Sequence, residues 1–234
     1  MKARFIEAIK RTGTIKSFRF TCREKVDFLP GQFTRIIFDE EKNANRDLNK
    51  YLSFSCAPGK GYIEVTKRLS ESEFSKRLDG LRKGDEVSFS APMGNCVFRE
   101  DNGKIAFLIG GIGITPVISI IEYIVEKKIN TDICLLYSNR SIEDIAFKKE
   151  LDAWQGQCPN LRIVYILSKG QEIDAHYKVG HIDKDMVMNY MPDAKEHTIF
   201  IFGPPVMVKA MQNICLEASA CNKDMVKIEN FIGY

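Results

Sequence analysis

The stretch FLIGGIGITP, residues 107–116, runs from a buried apolar strand into a cluster of three glycines and then into Thr115-Pro116. Thr115 and Pro116 suit the N-cap and first position of a helix continuing through TPVISIIEYIVEKK. A turn of this kind lets backbone N–H groups and a helix N-terminus approach a pyrophosphate closely. Pro116 takes the sixth position of a GxGxxG fingerprint, so the dinucleotide motif in its usual form is absent. Taken alone, the turn reads either as a ligand site or as a tight structural turn.

Working outward, the same texture repeats through the second half of the chain. IAFLIG precedes the helix just named, ICLLYS precedes SIEDIAFKKELDAW, LRIVYILS precedes DKDMVMNYM, TIFIFG precedes PPVMVKAMQNICLEA, and VKIENF closes the series. Apolar runs alternating with longer amphipathic segments predict βαβ units on a parallel sheet. A second turn, IFGPPVMV at 201–208, ends a strand at Gly203-Pro204-Pro205 and starts a helix. Both turns fall at carboxyl ends of parallel strands, where doubly wound sheets bind ligands, although Gly-Pro-Pro also stops a strand and starts a helix unaided.

Before residue 100 the period changes to that of short strands: ARFIEAI, SFRFTC, FTRIIF, YLSFSC, YIEVTK and EVSFS. Turn signals at Gly13, Pro30-Gly31, Pro58-Gly59 and Lys83-Gly84 separate them. Six short strands predict a closed antiparallel barrel or sandwich. A helical insertion over Glu73–Leu81 follows a cap at Ser70 or Ser72. The expected organisation is therefore an antiparallel β-barrel over 1–100 and an α/β parallel-sheet domain over 101–234, with the boundary near Arg99–Gly103 and no internal repeat.

The 234 residues are 44% hydrophobic and 28% charged, which excludes collagen-like, low-complexity and mostly disordered chains. A net charge of +3 is too small for a dedicated nucleic-acid binder. The charge is uneven: residues 1–100 carry 20 basic and 14 acidic side chains, so this half suits an anionic ligand or an acidic partner as well as a plain solvated surface. The strongest apolar stretch, 105–121, is broken by glycines and Pro116, and MKARFIEAIKRT lacks a secretory apolar block, so no membrane span and a cytoplasmic location are expected. Seven scattered cysteines without a CxxC pair indicate neither a disulfide framework nor a metal cradle. His176, His181 and His197 likewise have no ligand spacing.

Several motifs together resemble the ferredoxin–NADP reductase superfamily: KYLSFSCAP (50–58), SEFSKRL (72–78), APMG (91–94), GGIGITP (110–116), LLYSNRSIEDIAF (135–147), FGPPVMV (202–208) and the terminal FIGY (231–234). The resemblance implies a flavin-binding antiparallel barrel followed by a nicotinamide-nucleotide-binding α/β domain, with FAD as the flavin, FMN as a less favoured choice, and NADH or NADPH as cosubstrate. In this reading Lys50, Tyr51, Leu52 and Ser53 occupy an Arg-x-aromatic-Ser motif. Lys50 meets a flavin phosphate as a point charge without a bidentate fork, and Ser53 sits near the reactive N5 edge. Thr66, Lys67 and Arg68 line the ring and ribityl chain. Phe74 and Ser75 open the helix that meets the pyrophosphate, with Ser72 where the family usually has glycine. Gly111, Gly113, Thr115 and Pro116 shape the nicotinamide and pyrophosphate pocket. Ser138, Arg140 and Lys169 are placed to meet a 2′-phosphate or else are solvated loop groups, which leaves the coenzyme open. Gly203 and Pro204 form the second turn, Phe202 replaces a family cysteine beside the hydride-transfer centre, and Tyr234 covers the flavin, with Phe231 as its competitor. The acceptor implied is an acidic redox protein such as ferredoxin, flavodoxin or an oxygenase component. A free-flavin reductase and an electron-routing or nucleotide-sensing subunit are the alternatives.

Overall fold

The computed structural model describes residues 1–42, 44–169, 177–217 and 221–231. The chain divides into two compact units. One comprises Met1–Phe98 together with Thr115–Tyr123; the other comprises Arg99–Ile114 and the described residues from Ile124 to Phe231.

In the first unit β1 (Lys2–Lys10), β2 (Ile15–Cys22), β3 (Phe33–Ile37), β4 (Asn49–Ser53), β5 (Ile63–Arg68) and β6 (Glu86–Phe89) pair antiparallel in the order β4-β3-β6-β1-β2-β5. These are the six segments that the period-two alternation marks. A bridge between Phe54 and Val65 joins the two edges, so the sheet closes as the turn-rich sequence predicts. Its inward face is aromatic: Phe18, Phe20 and Phe54 are fully buried, and Phe20 meets Phe89 edge-on at 5.0 Å. Each such ring removed from water contributes on the order of 2–3 kcal/mol. Gly31 has φ +102°, and a Cβ there would run into the Cys96 carbonyl oxygen, so this turn requires glycine on both counts.

Helix α1 (Glu73–Asp79) is capped by Ser72, whose hydroxyl accepts the Ser75 N–H at 3.3 Å. The helix ends two residues before the expected Leu81 because Gly80 supplies the C-cap. Phe74 and Leu78 are its buried side chains in the barrel core.

The second unit holds six parallel strands: β7 (Lys104–Gly110), β8 (Asp132–Asn139), β9 (Leu161–Leu167), β10 (Tyr177–Val179), β11 (Thr198–Gly203) and β12 (Val226–Asn230), in the order β10-β9-β8-β7-β11-β12. Between these strands along the chain run α2 (Thr115–Lys127), whose first nine residues belong to the first unit, α3 (Lys148–Gln157), α4 (Lys184–Tyr190) and α5 (Pro205–Glu217). Leu108, Leu136, Ile166 and Ile201 are almost wholly buried, which is why their strands read as continuous apolar runs. Strand β10 was not foreseen, since three residues carry no period.

Two helix starts differ from expectation. Thr115 is not the N-cap: Gly111–Ile114 winds as a 3-10 turn directly into α2, and Ile114, with helical φ −64° and ψ −22°, takes the cap position. The SIEDIAFKKELDAW segment is not one helix either. Ile142–Asp144 forms a 3-10 turn, and α3 begins only at Lys148, after Phe147 at φ +60°. Phe147 is 3% exposed, so burial of its ring offsets the cost of a left-handed backbone.

Candidate functional site

In the first unit the segment Lys50–Ser53 lies on β4, paired with β3 so that Phe33 faces Ser53 and Arg35 faces Tyr51. Ser53 is buried, Lys50 and Leu52 are half-buried, and Tyr51 points outward at 59% exposure, with Arg35 over its ring at 5.5 Å. Lys67 follows on β5 and is only 8% exposed. Burial first, and then the charge of Lys50, hold its ammonium below the ordinary lysine range. Among the described residues no acidic side chain pairs with either lysine. A buried cation without a counter-charge is costly, so this pair calls for an anion.

Thr66 and Arg68 make hydrogen bonds within the barrel unit. The Thr66 hydroxyl belongs to a buried polar network centred on Glu64, which is 2% exposed. Arg11 Nη2 and Arg19 Nε donate to its two carboxylate oxygens at 3.1 and 2.8 Å, and Ser55 Oγ donates at 3.2 Å. Ser55 then meets Thr66 at 2.7 Å, and Thr66 meets Ser17 at 2.6 Å. Arg68 donates to the Thr14 hydroxyl at 3.1 Å. Phe74 is fully buried against Phe38, and the Ser75 hydroxyl lies within the Ser70–Ser72 cluster that caps α1. The sequence motifs did not reveal the Glu64 network. Its only signal is an acidic residue on a strand paired with β2, where Arg19 stands opposite Glu64, with Arg11 in the turn that leads into β2.

Also within this unit, the Glu122 carboxylate of α2 accepts the Ala57 N–H at 2.6 Å and pairs with Lys60 at 2.7 Å.

In the second unit the carboxyl end of the sheet brings the two glycine turns together. A Cβ on Gly113 would lie 2.5 Å from the Phe202 carbonyl oxygen and 3.0 Å from Gly203 N, while a Cβ on Gly110 would meet Met207 and Pro204. Gly111 has φ +51°, and α2 has no side-chain cap. Because the 3-10 turn runs into the helix, the free N–H donors of the helix start come from the glycine turn itself. That arrangement fits a pyrophosphate. Thr115 and Pro116 are buried, Gly203 is buried and Pro204 exposed. Ser138 and Arg140 stand at the end of β8, half-buried and exposed respectively, and the exposed Lys169 is brought beside them, its N–H donating to the Arg140 carbonyl at 3.0 Å.

Phe202 is fully buried, 5.8 Å from the Phe200 ring and 6.5 Å from Phe231. The Phe231 N–H also donates to the Gly203 carbonyl at 3.0 Å. Tyr234 lies outside the described residues, as does His176. The motifs passed over Glu229, which stands in register with Phe202 across β11 and β12. Burial pushes its carboxyl up to about 7. Its sequence signal is a lone acid within the closing strand VKIENF.

That shift carries a sign. Between the ordinary carboxylate range near 4.5 and pH 7 the folded chain keeps a proton that the unfolded chain has released, so this group's contribution to stability is lost as pH rises through 7. Glu229→Gln is expected to flatten that part of the stability profile and to be more stable than the parent at pH 8 by on the order of 3 kcal/mol, read by urea unfolding across pH 5–8. Parallel profiles for the two proteins would show that the carboxyl is not held protonated.

No group of three or more histidine, cysteine or acidic side chains able to hold a metal occurs among the described residues, and no helix there is long and apolar enough to cross a membrane.

A family model described as an oxidoreductase NAD-binding domain matches residues 107–213. The NADH-cytochrome b5 reductase-like protein of Arabidopsis thaliana is 32% identical over 178 residues, covering 74% of this chain and 53% of that protein. The glycine betaine monooxygenase reductase subunit of Chromohalobacter salexigens is 27% identical over 219 residues, 90% of this chain and 59% of that protein. This chain thus spans between half and two thirds of the length of these relatives. The flavohem-like FAD/NAD binding domain of nitric oxide dioxygenase from Vibrio cholerae O1 biovar El Tor has the same fold, with a TM-score of 0.84 over 98% of both chains at 17% identity. An antiparallel barrel followed by an oxidoreductase NAD-binding domain defines a reductase-type two-unit protein. Residues 107–213 match the oxidoreductase NAD-binding domain family, and the fold of the chain is that of the ferredoxin–NADP reductase superfamily.

Proposed function

We propose that the chain is an NAD(P)H-dependent flavoprotein reductase, in which residues 1–100 hold FAD and residues 101–234 hold NADH or NADPH. The observation that carries this reading is the pair Lys50 and Lys67, buried or half-buried cations with no acidic partner among the described residues, in a unit of the superfamily's barrel type. When bound, a flavin accepts a hydride from a reduced nicotinamide and passes electrons onward. Lys50 and Lys67 supply charge for phosphate, Leu52 and Ser53 border the ring, and Tyr234 is assigned its cover. The Gly111–Gly113 turn with Thr115 and Pro116, and the Gly203-Pro204 turn, hold the dinucleotide backbone. Ser138 and Arg140 face its adenosine end. Phe202 acts by packing: fully buried, it fixes the strand end that carries Gly203. The proposed acceptor is an acidic redox protein such as a ferredoxin, a flavodoxin or an oxygenase component, and the proposed setting is the cytoplasm, in keeping with seven free cysteines.

One observation favours a second reading, in which flavin is a substrate rather than a resident group. Ser72 caps α1 and Ser75 is held within that cap, so the Ser75 N–H and hydroxyl, which would grip the FAD pyrophosphate, are engaged within the chain. A visible spectrum of the purified protein after dialysis, followed by anaerobic addition of NADH or NADPH, separates the readings. Retained yellow colour that bleaches with one coenzyme supports the resident flavoprotein. A colourless protein that reduces added flavin supports the second reading. Failure to bind or reduce any flavin overturns both.

A further inference from the structure

The first nine residues of α2, Thr115–Tyr123, belong to the barrel unit. Ile120 stands against the Gly31 turn, where a Cβ on the glycine would lie 3.3 Å from its Cδ1, and the Tyr123 ring meets Phe98 edge-on at 6.5 Å. Apolar contacts of this kind are non-directional, so they hold the helix on the barrel without fixing its register. Glu122 supplies a directional link. One carboxylate oxygen accepts the Ala57 N–H at 2.6 Å, and the other accepts from the Lys60 ammonium at 2.7 Å. Ala57 is buried, so water does not readily replace the acceptor its N–H has in Glu122.

Both ends of this link lead to groups assigned above. Ala57 lies four residues after Ser53 within KYLSFSCAP, and Glu122 lies seven residues after Thr115, about 10 Å along a stiff helix. We propose that Glu122 is a positioning residue for hydride transfer, locking the start of α2, where the coenzyme is held, to the segment that runs on from the flavin-lining Ser53. It acts through Ala57 and through the helix rather than on the reacting atoms. The inference rests on the flavoprotein reading. Reactants held in near-attack geometry are sensitive to small displacements, and about 1 Å of misplacement costs on the order of 10²-fold in rate. The bond to Ala57 carries the effect, since the Lys60 pair is partly open to solvent and such a pair contributes little.

The test uses the full-length protein loaded with FAD and whichever of NADH or NADPH bleaches the parent. In anaerobic stopped-flow, Glu122→Ala is expected to lower the limiting rate of flavin bleaching by about 10- to 100-fold, with the half-saturating coenzyme concentration and the visible spectrum of the bound flavin unchanged. Alanine is a strong helix former, so α2 is retained. Glu122→Gln keeps an oxygen that can accept the Ala57 N–H and should restore most of the rate. Without coenzyme, hydrogen exchange at the Ala57 amide should quicken about tenfold or more in Glu122→Ala and stay near the parent value in Glu122→Gln. Should the alanine variant not fold, Glu122→Asp, which draws the carboxylate back by one methylene, is expected to shift rate and exchange in the same direction. An unchanged limiting rate, a loss that glutamine does not restore, or unchanged exchange at Ala57 would each overturn the positioning role while leaving the flavoprotein reading standing. A parent protein that no coenzyme bleaches would overturn that reading, and the positioning role with it.

Discussion

Gly113→Ala is expected to unfold the second unit about 3 kcal/mol or more sooner than the parent, and to abolish nucleotide binding at any coenzyme concentration that saturates the parent protein. The methyl group would sit 2.5 Å from the Phe202 carbonyl oxygen, 2.7 Å from its carbonyl carbon and 3.0 Å from Gly203 N. All three are backbone atoms of a fully buried strand end, and β11 is hydrogen-bonded to β7 on one side and β12 on the other. Nothing flexible can yield, so either the strand shifts or the glycine turn does, and both belong to the proposed dinucleotide site. Gly110→Ala is the control. Its methyl would meet first the thioether end of Met207, a side chain that repacks readily, so a loss of about 1 kcal/mol is expected. Trp154, the single tryptophan, lies on α3 and reports this unit's unfolding by fluorescence. Equal losses for the two variants would show that the Phe202–Gly203 backbone is free to move.

Glu64→Leu is expected to destabilise the barrel unit by about 3–5 kcal/mol. The carboxylate is 2% exposed and is shared by Arg11, whose side chain is 9% exposed, and Arg19 at 28%. Leucine removes the charge that compensates two guanidinium groups held largely away from water, and it takes the acceptor from Ser55 as well. Glu64→Gln keeps an oxygen acceptor but not the charge, so an intermediate loss is expected. Urea midpoints from far-ultraviolet circular dichroism, compared with the Trp154 transition, assign the loss to the barrel. If the leucine variant stayed within 1 kcal/mol of the parent, the network would be a solvated surface feature rather than a buried one.

The fold was legible because its two periods differ and each has one structural reading. Alternation over ARFIEAI or SFRFTC marks which residues face a barrel interior, and short runs such as IAFLIG, ended by glycine and followed by longer amphipathic segments, read as strands buried on both faces. Helix starts were less legible. Thr115 has the composition of an N-cap, yet the glycines before it wind into a 3-10 turn and move the cap to Ile114. Phe147 interrupts a segment whose apolar spacing looks helical, because its ring is buried at the expense of its backbone.

The site divides along similar lines. Local order along the chain determined the strands, the two glycine turns and the Lys50–Ser53 segment, since turn chemistry and strand period act over a few residues. Which side chains meet was decided only by the closed barrel and the parallel sheet. Thr66 is drawn into the Glu64 network, Lys67 is buried beside Lys50, and Glu229 comes into register with Phe202. Those contacts depend on packing and register between separated segments, and the burial they create sets the charge and reactivity of each group.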